Sequence, residues 1–240
     1  MYTNGAAGNV KRMNYYIPIQ KDHAETANAS TSSSNPSLRS HHTTRILGRR
    51  YDLTSTFYKY LEIGISVGPV SCVEIILGDN RGNHMILPHQ IWKEIMHKRT
   101  DFDRLLQQAE TSPFWIRDLS IKSDKIQNAK VLKLTLFGNI LYVKRKTLDR
   151  LFIYEQCIDH MYGWLCENTH LVDTKFKRFV KILQQNNITG VCYESKTIDW
   201  DYAAKVIRDN EDFGCDSLVD CELLACALPD IVHYALEHDL

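Results

Sequence analysis

Two stretches in the middle of the chain share one order of apolar and polar positions. Each opens with a period-two alternation, whose apolar face is formed by Val73, Ile75 and Leu77 in the earlier stretch and by Leu132, Leu134 and Leu136 in the later one. The turns that follow, "GDNRGN" and "FGN", contain Gly-Asn, which tolerates positive φ. A returning strand comes next in both stretches. The pattern predicts two β-hairpins, and this alignment assigns a three-residue difference in length to the turn.

The apolar period then changes from two to 3.6 in both stretches, which predicts an amphipathic helix after each hairpin. The earlier helix has its apolar positions at Trp92, Ile95, Met96, Phe102, Leu105 and Leu106, and 56 positions later stand Leu148, Leu151, Phe152, Ile158, Met161 and Tyr162. Asp103 aligns with Asp159 at the same offset. We therefore predict one unit of strand, turn, strand and helix that is written twice, with one further strand in front of it.

These elements predict an α+β fold with antiparallel sheets, in which two tandem repeats form a pseudo-dimer. We expect a disordered Ser/Asn-rich arm over residues 1–50, because it lacks apolar surface that could offset its ordering entropy. The first repeat is predicted over 51–110, with "TFYKYLEIGIS" as its first strand, and the second over 111–170. Residues 171–240 are predicted to form a helical segment with an acidic tail.

The C-terminal segment combines a basic helix with an acidic, apolar end. "DTKFKRFVKILQQNN" predicts a helix capped by Asp173 or Thr174, with an apolar stripe opposite a basic face, and "DWDYAAKVIRDN" predicts a short one. The last 32 residues carry nine carboxylates and no Lys or Arg, so residues 1–208 hold 29 basic against 20 acidic side chains. Two interpretations stand for the acidic end: it folds back onto the basic body, or it is a helix that binds a protein partner.

No sequence motif indicates a catalytic, metal or cofactor site. "GDNRG" and "GISVG" pair glycines, but no Lys-Ser/Thr follows either, so hairpin turns explain both and we predict a non-enzyme. Seven scattered cysteines indicate free thiols in a reducing compartment. The group Cys215, Cys221, Cys226, His233 and His238 has no zinc spacing, and we interpret its cysteines as buried thiols. The absence of an apolar signal core or long apolar span predicts a nuclear or cytoplasmic protein that is neither secreted nor bound to membranes.

The junction between returning strand and helix resembles a known family. In "LPHQIWKEI" the residues Leu87, Trp92 and Ile95 match the strand end and helix start of the transcriptional positive cofactor four family, and Leu106 lies where the family helix ends. Val143, Leu148 and Leu151 take these places in the second copy, and "YLEIG" at 60–64 is similar to the family's entry strand. The resemblance covers residues 57–165 and lacks the family's long basic hairpin. It implies single-stranded DNA binding by paired curved sheets.

The second hairpin carries the cations that such binding needs. Phosphates require positive charge and unpaired bases stack on aromatic rings, so we predict a nucleic-acid site at Lys130, Lys133, Tyr142, Lys144, Arg145, Lys146 and Arg150. The predicted function is a non-enzymatic protein that binds single-stranded DNA or RNA, similar to a transcription cofactor, and recruits a protein partner through the acidic apolar tail. The alternative is a protein–protein adaptor that uses the repeats for assembly alone.

Overall fold

A computed structural model describes residues 44–107, 112–186 and 198–238, and they contain two four-stranded antiparallel sheets. The first sheet consists of β1 (Arg45–Asp52), β2 (Lys59–Ser66), β3 (Cys72–Asp79) and β4 (His84–Leu87) in that order. The second sheet consists of β5 (Phe114–Ile116), β6 (Leu119–Ile126), β7 (Ala129–Leu136) and β8 (Asn139–Val143). The α+β class and the doubled sheet are confirmed, and each repeat has two strands before its hairpin, not one.

The two hairpins correspond with a shift that the sequence alignment missed. Leu77 pairs with Met85 across the first hairpin, and Leu134 pairs with Leu141 across the second. Leu134 is therefore the counterpart of Leu77. The stretch of chain that connects Leu134 to Leu141 is one residue shorter than the stretch that connects Leu77 to Met85, and not three residues shorter. The second turn has only two central residues, Phe137 and Gly138, both at positive φ, whereas the first is a longer loop with Gly82 at φ 88°.

The helices of the two repeats begin at a constant offset of 56 residues. The first repeat contributes α1 (His89–His97) and α2 (Arg99–Gln107), and the second contributes α3 (Arg145–Ile153) and α4 (Glu155–Gln185). Lys98 separates α1 from α2, and Tyr154 separates α3 from α4. Sharing a helical period does not require a shared break, so this coincidence supports the duplication more strongly than the apolar pattern does.

Each repeat places a helix on the sheet of the other. The helix α2 packs against β6 and β7 of the second sheet, while α4 packs against β2 and β3 of the first. The aligned aspartates join the repeats: Asp103 forms an ion pair with Arg145 at 3.1 Å, and Asp159 forms one with Lys93 at 2.6 Å. The buried indole of Trp92 donates a further hydrogen bond to Asp159, at 3.2 Å. The two halves therefore share one core.

The helix α4 is continuous over 31 residues, which corrects two predictions. Asp173 and Thr174 are not caps, because both lie inside α4. Asp173 pairs with Lys177 at 2.6 Å, and the Thr174 hydroxyl donates to the carbonyl oxygen of His170 at 2.8 Å. The boundary that we predicted between residues 170 and 171 also falls inside this helix, so the second repeat runs into the C-terminal segment without a break.

The C-terminal segment folds back onto the body. It forms α5 (Trp200–Arg208), α6 (Leu218–Cys226) and α7 (Leu228–Glu237), which pack against α4, and α6 also packs against β1. Charged contacts join the acidic segment to α4, where Lys175 pairs with the fully buried Asp220 at 2.7 Å. Many of its apolar side chains are buried, among them Val219, Leu223, Leu228, Ile231, Val232 and Ala235, whereas Leu218 is 58% exposed. The segment therefore folds back onto the body, as the first interpretation predicts, whereas its binding to a protein partner stays a prediction.

The start of the first sheet corrects the predicted arm. The strand β1 begins at Arg45, inside the range that we assigned to the disordered arm, and Ile46 and Leu47 are buried in the core. The pairing of β1 with β2 shifts register between Ile46 and Arg49, and the Leu47 N–H donates to a carboxylate oxygen of Glu222 at 2.5 Å. Residues 1–43 of the predicted arm lie outside the described residues.

Candidate nucleic-acid interface

The outer face of the second sheet presents two rows of side chains. Strand alternation turns Leu132, Leu134, Leu141 and Val143 into the core, so their neighbours face outward. The tryptophan row crosses all four strands and consists of Trp115, Ser120, Thr135 and Ile140. The lysine row lies one step further from the β7–β8 turn and consists of Lys122, Lys133 and Tyr142.

These rows expose rings and cations together. Trp115 is 56% exposed and Ile140 at the opposite edge is 41% exposed, whereas Lys133 and Tyr142 are partly buried. Lys133 lies directly between Lys122 and Tyr142 in the cross-strand register. An aromatic platform next to ammonium groups is the arrangement that holds bases by stacking and phosphates by charge.

The corresponding row of the first sheet has different chemistry. It consists of Arg50, Glu62, Ile76 and Ile86. The aromatic ring on this face is already occupied, because the Arg50 guanidinium stacks on Tyr60 at 3.3 Å. Burial raises the pKa of that tyrosine above its usual 10.0, although the charge of Arg50 opposes the effect. The two outer faces are therefore related in fold but not in charge.

Three of the seven predicted residues lie on one surface. Lys133 and Tyr142 are cross-strand partners in the lysine row. Lys144 follows β8 in an extended conformation, so alternation places its exposed side chain on the same side as Tyr142. Lys130 does not join them, because it lies three residues from Lys133 and alternation turns it to the opposite face of β7.

The remaining three predicted residues lie on α3. Arg145 forms ion pairs with Asp103 and Asp149, both at 3.1 Å, so its first role is to connect the repeats. Lys146 and Arg150 are exposed. The first turn of α3 contains no acidic residue, although negative charge is what the positive end of a helix dipole favours. The helix dipole therefore does not account for Arg145 and Lys146 at this position.

Trp115 is the residue that sequence reasoning missed. It lies in a three-residue strand, "FWI", too short to give a clear periodic signal. Its neighbours Phe114 and Ile116 are partly and fully buried, but all three side chains are apolar, so the sequence does not show which of them faces outward. The row to which Trp115 belongs depends on its pairing with Ser120, which no local pattern specifies.

The cysteine–histidine group of the C-terminal segment does not form a metal site. In the three described ranges of the chain, no three or more His, Cys, Asp or Glu side chains come together as ligands. The interpretation of buried thiols is wrong, since Cys215 is exposed and Cys221 and Cys226 are partly exposed. Burial raises the pKa of the Cys226 thiol above its usual value, and the negative charge of Glu222 raises it further.

Comparison with known proteins gives no family for this chain. No protein-family model matches the sequence, and no curated protein sequence matches it significantly. Among the helices of the described residues, none combines the length and the apolar character needed to span a membrane.

Proposed function

We propose that the chain binds single-stranded nucleic acid, DNA or RNA, on the outer face of its second sheet, and that it does so without catalysis. The observation that supports this proposal is the pair of rows in which the exposed Trp115 and the partly buried Tyr142 flank Lys122 and Lys133. Rings that stand outward cost hydration free energy in the free protein, and base stacking would recover it.

The chemistry of this face favours single strands over duplex. Stacking on a protein ring needs a base whose face is open, and in a duplex neighbouring bases already cover both faces. A duplex reader instead needs a helix or a ribbon that enters a groove. The cross-strand rows of the second sheet supply ring faces and ammonium groups.

The proposal is tested by fluorescence anisotropy of the full chain with labelled dT12 and a 12-base-pair duplex over a salt series. We expect dT12 to bind more tightly than the duplex and its affinity to fall as salt rises. Lys133→Glu should weaken binding of dT12, and the slope of log affinity against log salt should become shallower by roughly 0.7 for each phosphate that the protein no longer neutralises.

A matched control separates local from overall charge. Lys181→Glu makes the same change of charge on an exposed position of α4, and it should leave dT12 affinity nearly unchanged. Trp115→Ala should weaken binding without changing the salt slope, because it removes stacking but no charge. Failure of the wild-type chain to bind dT12 at low salt would refute the proposed function.

A second candidate, an assembly role, has one observation in its favour. The helix α4 exposes two large apolar side chains seven residues apart, with Trp164 40% and Leu171 43% exposed, and Ile153 at the end of α3 is 72% exposed. An amphipathic partner helix could cover such a stripe. If this role dominates, Trp164→Glu would reduce association in sedimentation experiments and leave dT12 binding intact.

A further inference from the structure

The turn between β7 and β8 contains a residue that local stability does not explain. Phe137 is the first central residue of a two-residue turn, with φ 47°, and Gly138 follows at φ 84°. Such turns favour Asn or Gly at these positions, since a bulky side chain at positive φ is strained. The Phe137 side chain is also 70% exposed. Phe137 therefore lowers stability in two ways, because its backbone is strained and its apolar ring is exposed to water.

Phe137 lies at the end of a regular series of outward side chains. Going along β7 toward the turn, the outward positions are Lys133, in the lysine row, and Thr135, in the tryptophan row, and Phe137 follows Thr135 at the same two-residue interval. The partners of Lys133 and Thr135 on β8 are Tyr142 and Ile140. Outward positions of one strand are two residues apart, which corresponds to about 7 Å. The turn, the tryptophan row and the lysine row thus form three successive levels of apolar or aromatic surface.

We propose that Phe137 stacks on the terminal base of an extended single strand that runs along β8, with following bases over the tryptophan and lysine rows. This inference rests on the proposed function and specifies its ligand. A level spacing of about 7 Å is twice the roughly 3.4 Å between stacked bases. The ligand must therefore be unstacked, which favours flexible pyrimidine strands over adenine strands that stack on themselves.

The chain contains a matched control for this residue. Phe57, in the loop between β1 and β2, has φ 55° and is 63% exposed, so it shares the strain and the exposure of Phe137. It belongs to the first sheet, where the Asn80 side chain donates to its carbonyl oxygen at 2.9 Å. Asn fits the positive φ of both positions, so Phe57→Asn and Phe137→Asn relieve the same strain on different sheets.

The experiment compares these two variants of the full chain by dT12 anisotropy and by thermal unfolding. We expect Phe137→Asn to weaken dT12 binding about tenfold, in the range of one lost base–ring stack. Its melting temperature should stay equal or rise by about 2–4 °C, because strain is relieved. Phe57→Asn should show the same thermal response with unchanged affinity. Wild-type protein should bind dT12 more tightly than dA12.

The outcomes separate this inference from the proposed function. If Lys133→Glu weakens binding and Phe137→Asn does not, the stacking role is refuted while the function stands. Equal losses for Phe57→Asn and Phe137→Asn would also overturn the inference, as would a lower melting temperature for Phe137→Asn, which would show a structural role. If neither Lys133→Glu nor Phe137→Asn changes binding, the proposed site itself is wrong.

Discussion

The ion pair between Lys175 and Asp220 gives the sharpest test of how the C-terminal segment is held. The Asp220 side chain is fully buried, and its Oδ2 accepts from Lys175 Nζ at 2.7 Å and from the Gly214 N–H at 2.8 Å. Its Oδ1 has no hydrogen-bond partner among the residues that the structure describes. Without Lys175 the carboxylate would remain buried with one backbone donor and no countercharge.

Lys175→Met should therefore lower the free energy of unfolding by about 3 kcal/mol. Removing one partner of a buried pair typically costs about 3–5 kcal/mol. The low end applies because the Lys175 side chain is 23% exposed, so solvent already screens part of the interaction. Replacing both partners, as in Lys175→Met with Asp220→Leu, should recover much of the loss, since no buried charge then remains.

The assay is urea unfolding followed by circular dichroism, with Lys177→Met as the matched control. Lys177 lies on the same helix and pairs with Asp173 at 2.6 Å, but its side chain is 58% exposed. A surface pair of this kind is worth about 0.5 kcal/mol. If Lys175→Met and Lys177→Met cost the same, the argument from burial is wrong and the acidic segment is held by its apolar contacts alone.

Three further substitutions test the packing of the repeats. His89 stacks on Tyr162 at 3.7 Å, and burial lowers the pKa of His89 below its usual 6.5. The stability that this neutral histidine contributes above pH 6.5 should therefore decline as the pH falls. His89→Phe should flatten this decline when urea unfolding is measured over a pH series. Gly78→Ala should lower the free energy of unfolding by about 1–3 kcal/mol, because its Cβ would stand 2.5 Å from the Tyr60 ring; an unchanged midpoint would contradict this. Trp92→Phe should cost about 1–3 kcal/mol because a buried hydrogen bond and side-chain volume are removed, whereas a surface role would leave the urea midpoint unchanged.

The sequence pattern predicted elements whose signal is local. Alternation identified the inward face of each hairpin. The 3.6-residue period identified helices, and the predicted apolar stripe that contains Phe176 and Phe179 is buried in the structure. These features depend on a few neighbouring residues. The same reasoning failed at Asp173, since a residue that can cap a helix can equally pair with Lys177 inside one.

The exchange of helices and the composition of the candidate site could not be predicted in this way. Nothing near α2 indicates that it covers the second sheet instead of its own, because the choice is made by contacts between distant parts of the chain. Trp115 belongs to the candidate site because it pairs with Ser120 across β5 and β6. Lys130 was included only because it is near Lys133 in sequence, and the strand period places the two on opposite faces.

The aligned rows of the two sheets show what joining the repeats in one chain permits. In a symmetric dimer of identical subunits, a substitution on one sheet appears on both, so neither face can change alone. Here Glu62, Ile76 and Ile86 stand in one sheet where Lys122, Lys133 and Tyr142 stand in the other. The shared core keeps its pseudo-symmetry, while each surface is free to specialise. A single polypeptide can thus offer two unlike surfaces on one scaffold.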